Sequence, residues 1–183
     1  MIKKPLTTRD LCYIGVFAAI IATMAQISIP MPYGVPMTLQ TFAVMLAGIV
    51  LGTKRGAVSA GVYVLLGMLG VPVFSAFRGG IGIVLGPTGG FILSFPLLAL
   101  AAGIGAAQKN KLLTAAWLFA GVLVNYICGM LMFSAITSSE LHRAFSVCVL
   151  PFIPVDIVKT VLAGVIGLKV RTLIERGGRA FNN

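Results

Sequence analysis

Long apolar stretches, broken by short basic or glycine- and proline-rich segments, run the length of the chain. With about 20 apolar residues as the length of helix that crosses a bilayer, the pattern predicts six spans: residues 11–29, 39–52, 56–71, 88–106, 112–136 and 145–170. The second and third fall short of that length and are separated only by Thr53, Lys54 and Arg55. A single continuous helix would bury two adjacent cations in hydrocarbon, an expensive position, so two helices and a tight turn at the membrane surface are predicted. The basic segment before residue 11 begins as a signal peptide does. The apolar run after it is longer than a signal's core and five more follow, which predicts a retained span.

Composition strengthens this picture. Apolar residues make up 58% of the 183 positions and charged residues 10%, whereas a soluble domain carries about 25% charged residues. Such a chain cannot cover a water-facing surface, and disorder is excluded because it needs low hydrophobicity and high charge. The length predicts one integral membrane domain, residues 1–183, of the all-α class.

The net charge of +10 would suggest nucleic acid on a soluble protein, but its distribution gives another reason. Lys3, Lys4, Arg9, Lys54, Arg55, Lys109, Lys111, Lys169, Arg171, Arg176 and Arg179 fall on one side of the predicted spans. Arg78 and Arg143 fall on the other, and Lys159 lies within a span. By the positive-inside rule both termini are cytoplasmic in a multi-pass protein of the cell membrane, and no nucleic-acid partner is needed to explain the charge. The outward connections are the long ones, which suggests that binding residues gather on that face.

Asp156 and Lys159 are the only ionisable pair within a predicted span. Spaced i,i+3, they share one helix face, either as a neutral pair that holds helices together or as a ligand site. Pro151 and Pro154 disturb the start of that helix and free backbone groups beside it. Gln26, Gln40, Thr41, Asn125 and Tyr126 reach a similar depth, so an outward-facing polar cavity with apolar walls is predicted. The stretch from Arg78 to Gly90 holds six glycines in thirteen residues but lacks the lysine of a phosphate loop and the full dinucleotide fingerprint. It predicts close backbone approach, with Thr88, Gly89 and Gly90 opening the fourth helix. Arg78 is the cation available on that outer loop. Gly15, Ala18, Ala22 and Ala25 form a stripe of small residues, either packed within the bundle or docking a separate membrane subunit. Cys12, Cys128 and Cys148 have no metal-ligand spacing and read as buried apolar thiols. One histidine and four carboxylates provide no metal cage, acid/base pair or nucleophilic triad, so neither an enzyme nor a cofactor is predicted. Without an ATP-binding motif, energy for transport must come from an ion gradient or from an ATP-hydrolysing partner.

The segments IPMPYGVPMTLQTFAVMLAGIVLGTKRG, LGVPVF, LGPTGGFILSF and PVDIVK resemble the BioY family, the biotin-specific S components of energy-coupling factor (ECF) transporters. The resemblance extends over residues 8–170. It implies a six-helix S-component bundle that captures biotin from outside, with a transmembrane coupling subunit and two cytoplasmic ATPases as partners. It also implies that Asp156 accepts from a ureido N–H, that Lys159 neutralises or donates to the ligand, and that Gln40 bonds the head group. Arg78, or backbone N–H groups near Thr88, would meet the biotin carboxylate, with Asn125 on the cavity wall. The loop from Pro30 to Pro36 would form a lid with Tyr33 as its cover, and Ala18 and Ala22 would meet the coupling subunit. A self-sufficient secondary carrier for biotin or another small vitamin is the alternative.

Overall fold

The computed structural model describes residues 7–31 and 35–180. Its helices are α1 (Thr8–Gln26), α2 (Gln40–Leu51), α3 (Thr53–Met68), α4 (Ile81–Val84), α5 (Gly89–Leu93), α6 (Phe95–Ala106), α7 (Lys111–Thr137), α8 (Leu141–Cys148) and α9 (Ile153–Ala180). A short antiparallel ribbon, β1 (Ser28–Ile29) with β2 (Met37–Thr38), joins α1 to α2.

Large apolar side chains face outward as well as inward: Leu65, Leu112, Leu123 and Val161 are all exposed. Among the described residues two helices, α1 and α7, are long and apolar enough to cross a membrane, and α8 with α9 makes a third when taken as one bent span. The apolar helices α2 and α6 have 12 residues each. At 1.5 Å per residue each is about 18 Å long, well short of a bilayer's hydrocarbon core of about 30 Å.

Small residues explain how α2, α3 and α6 form the centre of the bundle. Gly52, at φ 82°, lets the chain reverse between α2 and α3 in one residue, where a Cβ would be strained. A Cβ at Gly48 would stand 2.1 Å from the Ala99 carbonyl oxygen, and one at Gly56 would stand 2.5 Å from the Gly48 Cα. These helices therefore meet backbone to backbone, the mode that small residues permit in membranes. Ile21, Met45, Ile49, Tyr63 and Leu98 fill the core around them.

Polar contacts tie the helices together at their ends. Thr7 and Asp10 form a capping box at the start of α1, and Asp10 also pairs with Arg55 of α3 at 3.1 Å. The Ser59 hydroxyl donates to the Ile14 carbonyl at 2.9 Å. Arg171 on α9 donates to the carbonyls of Ala106 (3.1 Å) and Ile49 (3.5 Å), in the last turns of α6 and α2, where a cation also complements both helix dipoles. Arg171→Met is expected to destabilise the solubilised protein by about 1–2 kcal/mol, read as a lower thermal unfolding midpoint, with Arg171→Lys intermediate.

Four predicted spans are corrected. The third runs from Thr53 to Met68 rather than over 56–71, so Thr53, Lys54 and Arg55 open α3 and the turn is made at Gly52. The first span ends at Gln26, because Ser28 and Ile29 pair with Thr38 and Met37 in the ribbon. The fourth is broken at Ser94, since Pro96 has no N–H to return to Ile92; the Ser94 hydroxyl meets the carbonyls of Gly90 (2.8 Å) and Phe91 (3.0 Å) instead. The sixth begins at Ile153 rather than 145. Residues 145–148 belong to α8, and the chain bends by 56° before α9, around Pro151 and Pro154, each of which disfavours helical geometry in the residue before it.

Candidate functional site

A cavity of about 620 Å³, its open mouth included, lies among the β2 segment, the N-terminal turn of α2, the loop that carries Arg78, and helices α5, α6, α7 and α9. Val35, Ile83, Phe91, Ile92, Phe95 and Phe152 supply apolar walls, while Thr38, Gln40, Thr41, Arg78, Asn125, Tyr126, Asp156 and Lys159 supply polar groups. A few polar groups converging between apolar walls is the ordinary composition of a small-molecule site.

Asp156 and Lys159, on the first turns of α9, are 4% and 5% exposed and form an ion pair. Ionised groups this deep require partners, and the neighbours provide them. The Tyr126 hydroxyl donates to Asp156 Oδ2 at 2.5 Å and the Thr41 hydroxyl donates to Oδ1 at 3.3 Å. Lys159 Nζ also donates to the Thr38 carbonyl (2.9 Å) and to Thr41 Oγ1 (3.0 Å). All three ammonium protons are thereby used. A carboxylate offers about four acceptor positions; three are filled, which leaves Asp156 one for a donor in the cavity.

Gln40 is half committed. Its Oε1 accepts from the Thr38 hydroxyl at 2.8 Å and its Nε2 donates to the Tyr63 hydroxyl, so one N–H is left for a ligand. Tyr63 passes the contact onward to the Val73 carbonyl at 3.1 Å. Asn125, 1% exposed, donates to the Phe91 carbonyl (2.9 Å) and to Ser94 Oγ (2.8 Å). It holds the α5–α6 break, and among the described residues no hydrogen bond reaches its Oδ1.

Arg78 lines the cavity and donates to the carbonyl (3.2 Å) and hydroxyl (3.4 Å) of Ser75. Thr88 also lines it, at the start of α5. The N–H of Gly89 is already taken by the Gly86 carbonyl at 2.9 Å, which removes one of the donors expected near Thr88. Close approach at the glycines is present: a Cβ on Gly90 would stand 2.2 Å from the Cys128 carbonyl oxygen. Tyr33 lies outside the described residues, and so does the middle of the loop read as a lid.

The small-residue stripe of α1 is divided: Gly15 is exposed, and the alanines turn inward to differing degrees. Ala18 and Ala25 are buried in the core and Ala22 is half-buried against it, because they share a helix face with Ile14 and Ile21. Ala18 is therefore not on the surface for a partner to meet. Of the cysteines, Cys148 is buried, Cys128 is intermediate and Cys12 is exposed, contrary to the buried reading.

Sequence reasoning missed Thr38 and Tyr63 as site residues and took Thr41 and Tyr126 only as polar groups at the right depth. Tyr126 carried a signal in its adjacency to Asn125 at mid-helix. Thr38 acts through its hydroxyl on Gln40 and through its backbone carbonyl on Lys159, and for the second of these side-chain chemistry holds no clue.

Fold and cavity together define a helical membrane protein built around a small site for a polar ligand. The profile of the BioY family matches residues 1–176. The protein named "Probable biotin transporter BioY" from Pyrococcus horikoshii is 40% identical over 89% of this chain and 96% of its own length. "Biotin transporter BioY" from Thermotoga maritima is 39% identical over 92% and 99%. A crystal structure of the S-component for biotin from an ECF-type ABC transporter superposes with a TM-score of 0.81 at 27% identity, covering 94% of this chain and 95% of that one. The chain belongs to the BioY family, and its architecture is the S-component fold.

Proposed function

We propose that this chain is the biotin-capturing S component of an ECF-type uptake transporter. It spans the cell membrane six times with both termini in the cytoplasm, as the eleven-to-two distribution of cations supports. A transmembrane coupling subunit and two cytoplasmic ATPases supply the energy, a reading supported by the match to an S-component of an ECF-type ABC transporter. The carrying observation is the donor and acceptor set of the cavity. Biotin offers two ureido N–H donors and a ureido carbonyl at one end and a carboxylate at the other. The open acceptor position on Asp156 and the free Oδ1 of Asn125 suit the N–H groups, and the remaining N–H of Gln40 suits the carbonyl. Phe91, Phe95 and Phe152 suit the ring and alkyl chain, and Arg78 suits the carboxylate. Lys159 serves as the counter-charge of Asp156 and holds the Thr38 carbonyl in place.

Titration of the purified, detergent-solubilised protein with biotin tests this reading, with denatured and extracted protein assayed for vitamin already bound. Tight one-to-one binding, or stoichiometric co-purified biotin, is expected. A folded, ligand-free sample that shows no saturable heat change on titration with biotin would overturn the assignment. No observation in the structure favours the self-sufficient carrier.

A further inference from the structure

The turn that carries Arg78 holds a conformation its own residues do not favour. Ala76 and Phe77 both lie in the left-handed region, at φ 58° and φ 52°, where a Cβ crowds the backbone. The turn is closed by the Phe74 N–H donating to the Arg78 carbonyl at 2.9 Å. Burial of the Phe77 ring cannot compensate, since that residue is 73% exposed.

The compensation comes from Gln26, the last residue of α1. Its Oε1 accepts from the Phe77 N–H at 2.9 Å, and its Nε2 donates to the carbonyls of Val73 (3.3 Å) and Phe74 (3.2 Å). One carboxamide thus satisfies a donor on one limb of the turn and two acceptors on the other. Only a side chain that carries both an acceptor and donors at this length can do so; glutamate lacks the donors and asparagine the reach. The same Nε2 lies 3.1 Å from the Ala22 carbonyl of its own helix, so the position of the turn is tied to that of α1.

We infer that Gln26 is a positioning residue for the ligand site: it clamps the strained 73–78 turn so that Arg78 faces the cavity. The inference rests on the reading that Arg78 meets the ligand's carboxylate. It goes further in assigning that contact's geometry to a residue outside the cavity, on the helix that precedes the lid loop.

The test uses the full-length solubilised protein. Gln26→Ala is expected to weaken biotin binding by about tenfold or more, to weaken binding of biotin amide, which lacks the carboxylate charge, by less than about threefold, and to speed amide hydrogen exchange within residues 73–78. In an Arg78→Ala background it should cost no further affinity for biotin, because the two residues act as a unit. Gln26→Glu keeps the length and the acceptor and loses both N–H donors; the same selectivity with a smaller loss is expected, which covers the case in which the alanine variant does not fold. Unchanged exchange in 73–78, or equal losses for biotin and its amide, would overturn the clamp. If the unaltered protein does not bind biotin, the proposed ligand falls, and exchange in 73–78 still decides the role of Gln26.

Discussion

Asp156→Asn is expected to weaken biotin binding by more than about 1.5 kcal/mol. The amide replaces one of the two acceptor oxygens by a donor, which leaves too few acceptors for Tyr126, Thr41, Lys159 and a ligand together, and it removes the counter-charge of Lys159, which is only 5% exposed. The second effect reaches beyond the ligand. An ammonium left unpaired in such a place costs about 3–5 kcal/mol, so the thermal midpoint of the ligand-free protein should fall as well. Lys159→Ala is expected to fall similarly in both measurements, because Asp156 is then buried without a cation and the Thr38 carbonyl without its donor. Asp156→Asn combined with Lys159→Met separates the two roles. Taking away both charges should restore much of the stability and none of the affinity. Wild-type affinity in a folded Asp156→Asn variant would remove the pair from the site.

Gly48→Ala is expected to destabilise the bundle strongly, by about 3 kcal/mol. The added Cβ would fall 2.1 Å from the Ala99 carbonyl oxygen and 3.0 Å from the Ala102 Cβ. The near atom belongs to the backbone of α6, so no rotamer change relieves the clash, and α2 and α6 must move apart. Gly15 and Gly61 serve as controls within helices, since a Cβ at either meets nothing within 4 Å. Replacing them with alanine should be neutral or stabilising by up to about 1 kcal/mol, the difference in helix propensity. Thermal unfolding of the solubilised variants, compared pairwise, reads the difference. Similar midpoints for Gly48→Ala and Gly15→Ala would show that α2 and α6 are not packed at backbone distance.

These two expectations differ in how far the chain alone supports them. The Asp156–Lys159 pair was legible because charge is rare in an apolar helix and an i,i+3 spacing puts both side chains on one face. Gly48 carried no comparable mark, since this chain has 22 glycines and only the crossing of α2 on α6 distinguishes it from Gly61. The small-residue stripe of α1 was ambiguous for a related reason. Small residues at helical spacing mark a face for close packing, but not whether the partner is another helix of the same chain, and here Ala18 turns toward its own bundle.

What the sequence by itself determined follows from local physics. Long apolar runs give helices in lipid, glycine and basic residues break them, proline disturbs the turn it enters, and an isolated ion pair at depth demands partners. The helix α7 lies within one residue of its predicted bounds at each end for this reason. Tertiary structure alone decided which groups are already satisfied. It spends every proton of Lys159, leaves one face of Asp156 and the Oδ1 of Asn125 open, brings Tyr63 beneath Gln40, and sets the Gln26 carboxamide across a turn some fifty residues away. Hydrogen bonding depends on distances between elements remote in the chain, and no periodicity along a single helix encodes those distances.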